Sequence, residues 1–160
     1  MNVEIIKGLQ LAVRAAAAGG ISYAIAEFFR LDYPVFAFAA AVIATDLTPR
    51  QSQQLGLRRI VATMVGALCG ALLGLVVPPS AWALGLSVLV AMLVCHLLGA
   101  RDGSRVAGYT SGIIVISQSL DPWMHATLRF VETVLGVAVA WLISYVPKLI
   151  RIEEPDGGER

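Results

Sequence analysis

Charge is what this 160-residue sequence has least of: 14% of its residues are Asp, Glu, Lys or Arg, where a soluble domain carries roughly a quarter. That leaves too little polar surface to cover a water-facing sphere. The 58% of hydrophobic residues and mean hydropathy of +0.76 therefore point to lipid as the covering medium. Cysteine is scarce too. Cys69 and Cys95 each lie inside apolar runs, with no Cys or His at metal-ligand spacing, so they read as small core residues and no metal or cofactor is expected. The net charge of +1 offers nothing global to nucleic acid. Paired carboxylates around a cleft, a nucleophile with its base and a phosphate loop are also missing, which argues against an enzyme.

Six apolar segments fill the chain: about 8–29, 34–45, 60–77, 81–100, 106–120 and 127–146. Crossing a bilayer core of ~30 Å takes roughly 20 helical residues. The third, fourth and sixth segments meet that length; the second and fifth fall short. Asp32 is placed to cap a helix whose first turn holds Pro34, and Pro49, Pro78, Pro79, Pro122 and Pro147 sit in linkers or at segment ends. The expected fold is all-α, a polytopic membrane domain over residues 1–150, followed by a charged, Gly-rich tail at 151–160 that reads as a disordered cytoplasmic segment. The first segment runs on into Glu27, Arg30 and Asp32 instead of a small-residue cleavage site, so it is expected to stay in the mature protein. An even number of spans puts both termini on one side. That side collects Lys7, Arg50, Arg58, Arg59, Arg101, Arg105, Lys148 and Arg151, so it is expected to be the cytoplasmic side of a plasma (inner) membrane.

The third and sixth segments share a pattern at an offset of 70 residues: Arg59, Thr63 and Gly66 fall on Arg129, Thr133 and Gly136. The same offset lays the first segment on the fourth and the second on the fifth. Three spans per copy is an odd number, so the expected plan is two inverted repeats, about 1–79 and 80–150. In such a plan the short matching spans point to the substrate path.

Charge inside the membrane marks function, because an Arg or Asp at a helix centre costs ~2.5–3.5 kcal/mol even on a lenient scale. The candidate path residues are Arg14, Arg59 and Arg129, with Glu132 three residues beyond Arg129 and close enough to pair with it. Arg59 is expected at the inner mouth and Arg129 near the outer one. Tyr109, Thr110, Ser111, Ser117 and Gln118 give the fifth segment a polar register that can replace part of an anion's hydration shell. The alternative is hydrogen bonding between helices. Arg58, Arg101 and Arg105 read as snorkelling to headgroups, and Asp46 as a cap on the second connection. Ala62, Gly66, Gly70 and Gly74, with Gly136 and Ala140 in the second copy, form small-residue stripes for close helix packing, within one subunit or between subunits.

The run Arg59-Ile60-Val61-Ala62-Thr63-Met64-Val65-Gly66-Ala67-Leu68-Cys69-Gly70 resembles the fusaric acid resistance and aromatic acid exporter superfamily, which shows Arg, two hydrophobics, Gly-Thr and then glycines four apart; Ala62 stands where that pattern has Gly. Arg129-Phe130-Val131-Glu132-Thr133-Val134-Leu135-Gly136 resembles the later element of the same superfamily. The resemblance covers about 8–146. It implies six spans per unit, export or channelling of small organic anions, aromatic acids or malate among them, and a homo-oligomer, a dimer before a trimer. Relatives often add a cytosolic domain or a second six-span unit; one unit of six short helices encloses little and is expected to depend on self-association. A non-transporting scaffold or assembly subunit, its arginines serving as headgroup anchors, is the competing expectation.

Overall fold

The computed structural model describes residues 3–117 and 121–146, and Gln118 with the tail at 151–160 lies outside them. Six α-helices follow one another: α1 (Val3–Phe28), α2 (Pro34–Ala44), α3 (Pro49–Val76), α4 (Ala81–Leu97), α5 (Ser104–Ile116, entered through a 3₁₀ turn at Arg101–Gly103) and α6 (Pro122–Ser144). Among the described residues there is no strand. Three helices, α1, α3 and α6, are long and apolar enough to cross a membrane. The six helices fit a polytopic membrane protein.

The ends follow from local chemistry. Prolines open α2, α3 and α6, where a missing N–H is harmless. Thr48, Ser80 and Asp121 cap α3, α4 and α6 through their side chains. Asp46 accepts from the backbone N–H of Leu47 at 2.6 Å and holds the α2–α3 connection, as expected of it. Asp32 does not cap α2: the N-cap is Tyr33, without a side-chain cap, and its backbone N–H is taken by the distant Glu132 carboxylate. The fourth segment is also shorter than its apolar run. Gly99, at φ +77°, turns the chain after Leu97, so α4 has 17 residues and about 26 Å of length. The largest difference is in α3, which begins eleven residues before Ile60, because Thr48 and Pro49 start a helix through the polar stretch Gln51–Arg58.

The long helices α3 and α6 cross at the centre. α5 packs along α3 and α2 along α6, with α4 outside α5 and α1 outside α2. Close approach at these contacts requires glycine. A Cβ at Gly66 would overlap the Ala107 carbonyl of α5, and a Cβ at Gly136 would overlap the Ala37 carbonyl of α2. Gly70 meets Ser111 and Ile114, Gly74 faces Pro122, and Ala62 packs on Gly103. Ala140 is buried with Ala44 and Val137. The small-residue stripes are thus covered by helices of the same chain. Gly136→Ala is expected to cost about 1–3 kcal/mol, because the obstacle is backbone and α2 must move. Gly20→Ala, with nothing within 4 Å of the new methyl, is expected to be neutral or stabilising. Thermal denaturation of the two variants side by side checks the contrast.

The outer surface is aliphatic along most of its height, with Leu57, Met64, Leu68, Leu72 and Leu75 on α3 and Leu86, Leu89 and Leu93 on α4 all exposed. Trp82 is 90% exposed at the start of α4, and Trp123 stands exposed at the start of α6. His96 of α4 is exposed as well.

Candidate functional site

Starting α3 at Pro49 moves Arg59 well inside its helix. It is not at a mouth: it comes to the same cavity as Arg129, at the crossing of α3 and α6. Arg59, Thr63, Arg129 and Thr133 line that cavity with Phe36 from α2 and Tyr109, Thr110 and Ile113 from α5. Both arginines are all but buried, at 4% and 5% exposure. The cavity volume is about 10 Å³, room for about one water.

The two guanidinium groups are held differently. Arg129 lies 3.2 Å from the centre of the Phe36 ring and 4.6 Å from that of Tyr33. Its Nη1 is 3.7 Å from Glu132 Oε2, an ion pair without a hydrogen bond. Glu132 is fully buried and accepts from the Tyr33 backbone N–H at 3.0 Å through Oε1. A carboxylate at the start of α2 also complements the positive end of that helix. Arg59 donates from Nη2 to the Tyr109 hydroxyl at 2.7 Å, while its Nε and Nη1 have no hydrogen-bond partner. Among the described residues no carboxylate pairs with Arg59. The cluster therefore holds two cations against one anion.

The other expected path residues are distributed more widely. Thr110 joins the cavity wall. Ser111 is fully buried against Gly70, its hydroxyl without a partner. Ser117 donates to the Ile114 carbonyl at 2.8 Å, which closes its own helix end. Arg14 is elsewhere: Nη1 donates to the Leu47 carbonyl at 2.9 Å and Nη2 to the Val146 carbonyl at 2.7 Å, so it ties α1 to the ends of α2 and α6. Arg58 of α3 pairs with Asp102 of the 3₁₀ turn at 2.6 Å, an ion pair where a headgroup anchor was expected. Phe36, Thr63, Thr133 and Ile113 belong to the cavity but were not singled out. The two threonines carried a signal, since each sits four residues after its arginine, at positions 70 residues apart. The two apolar residues carried none.

Among the described residues no group of His, Cys, Asp and Glu is placed to hold a metal.

A family model described as aromatic acid exporter family member 1 matches residues 8–146. The chain belongs to this family. Its similar proteins include the UPF0421 protein SH1063 of Staphylococcus haemolyticus, 30% identical over 71% of this chain and 35% of the relative. The UPF0421 protein YgaE of Bacillus subtilis is 25% identical over 76% of this chain and 35% of its own length. The chain thus spans about a third of the length of the curated relatives it matches. No solved structure matches it.

Proposed function

We propose that this chain moves small organic anions, aromatic carboxylates among them, out across the inner membrane, and that Arg59 and Arg129 form the anion site on the path. The observation that carries this reading is the convergence of two buried guanidinium groups, opposed by a single carboxylate, on one polar cavity at the centre of the helix bundle. Cationic groups along a pathway attract anions and repel cations. The phenyl face of Phe36 and the hydroxyls of Thr63, Thr110 and Thr133 suit an acid with a flat apolar body. The cavity is too small for such an acid, so its passage requires α2 and α5 to part from α3 and α6.

An inverted repeat supplies the means. Gly66 on Ala107 and Gly136 on Ala37 are the same contact displaced by 70 residues, as are the N-caps Tyr33 and Gly103. The site then lies near the pseudo-two-fold axis, and rocking one half against the other exposes it to each side in turn. In this reading both termini lie in the cytoplasm, and a homodimer supplies the seal around helices as short as α2 and α5.

Purified protein in liposomes loaded with benzoate or malate tests this. Arg129→Ala is expected to slow anion flux per folded protein at least about tenfold, whereas the exposed Arg101→Ala leaves it within about twofold. Equal effects of the two substitutions would remove the assigned path. Wild-type protein that passes no anion would favour a scaffold role.

A further inference from the structure

The cavity between the arginines is smaller than the substrates proposed for it. Its volume of about 10 Å³ is room for about one water, so a chloride needs the lining side chains to give slightly, and no carboxylic acid fits beside Phe36 and Ile113 without moving a helix. Its charge is not balanced. Arg59 and Arg129 are permanently cationic, Glu132 is their one buried carboxylate, and it lies on the Arg129 side. Arg59 lines this space, and its Nε and Nη1 have no hydrogen-bond partner while Nη2 is engaged. A water answers the donors but not the charge, and an uncompensated buried cation is disfavoured.

We propose that the double-arginine cavity is a halide site, occupied by chloride as the counter-ion of Arg59 whenever no organic anion is bound. The ion takes the Nε and Nη1 donors of Arg59 and lies within the field of Arg129, with the threonine hydroxyls of α3 and α6 around it. Sulfate and gluconate are larger and more strongly hydrated, and the apolar wall of Phe36 and Ile113 disfavours them. The organic anion then displaces an ion instead of entering an unbalanced cavity, and chloride competes with it.

The test is thermal unfolding of the purified full chain in sodium chloride, sodium bromide or sodium gluconate at equal ionic strength, together with the ³⁵Cl line width. Chloride and bromide are expected to raise the Tm saturably where gluconate does not, and bromide to reverse the chloride line broadening. Arg59→Gln is expected to lose this response, with affinity down at least about tenfold; if that variant does not fold, Arg59→Lys is expected to weaken it several-fold. No halide response in the wild type, or one unchanged in the variant, overturns the proposal. Halide binding without carboxylate flux would retain this site and sink the transport reading. Flux without halide binding would do the reverse.

Discussion

Replacing Glu132 by alanine is expected to destabilise the fold by about 3–5 kcal/mol, the usual consequence of removing one partner from a buried ion pair. Two losses combine. Arg129, 5% exposed, keeps its charge against the rings of Phe36 and Tyr33 alone, and the backbone N–H of Tyr33 loses its acceptor at the start of α2. Glu132→Gln, which retains an acceptor oxygen for Tyr33, is expected to lie between alanine and wild type. Removing the arginine as well separates the terms: Glu132→Ala with Arg129→Met is expected to recover the part of the loss that comes from the stranded charge, while the unpaired Tyr33 N–H and the void left by the smaller alanine remain. Denaturation of wild type, Glu132→Ala, Arg129→Met and the double variant in one detergent gives the coupling energy. A Glu132→Ala variant within about 1 kcal/mol of wild type would mean that the pair is not buried as described.

Arg59→Gln carries the opposite combination. Anion flux in liposomes is expected to fall about 10- to 100-fold, because the site loses a charged donor pair worth about 1.5–3 kcal/mol. Stability, measured in gluconate, is expected to hold or to rise. Arg59 has no carboxylate that its removal would strand, and its one hydrogen bond goes to the hydroxyl of the half-exposed Tyr109. Removing a desolvated, unbalanced cation relieves the fold. A residue that costs stability and sustains transport is what a functional charge looks like. Loss of stability in step with loss of flux would instead make Arg59 a structural tie, as Arg14 is through the carbonyls of Leu47 and Val146.

Which parts of this were legible in the sequence follows from the range of the forces involved. Helix ends were largely readable, because Pro34, Pro49, Pro122 and the capping residues act within one turn. The α2 cap was not, since the group that serves it, Glu132, is 99 residues away and only packing brings it there. The start of α3 was misplaced for a different reason. Hydropathy registers where a helix enters lipid, not where it begins, and Gln51–Arg58 is polar helix. Thr48 and Pro49 already carried the start signal. That shift of eleven residues turned Arg59 from an inner-mouth residue into the partner of Arg129 across one cavity. The pairing of Arg129 with Glu132 was readable because it lies within a single helix turn. Arg14 shows the limit of intramembrane charge as a signal: a buried arginine also serves as a clamp on helix ends, and the sequence does not distinguish carbonyls from a path.

The account rests on the double-arginine cavity opening to water and to anions during the transport cycle. Thiol accessibility at its wall tests this most directly. With Cys69 and Cys95 replaced by alanine, Thr63→Cys and Thr133→Cys are labelled in intact membranes with a sulfonate-bearing and an ammonium-bearing thiol reagent of similar size. The predicted result is faster reaction with the anionic reagent at both positions, slowed by benzoate. Two thiols that stay unmodified, or that prefer the cationic reagent, would contradict it.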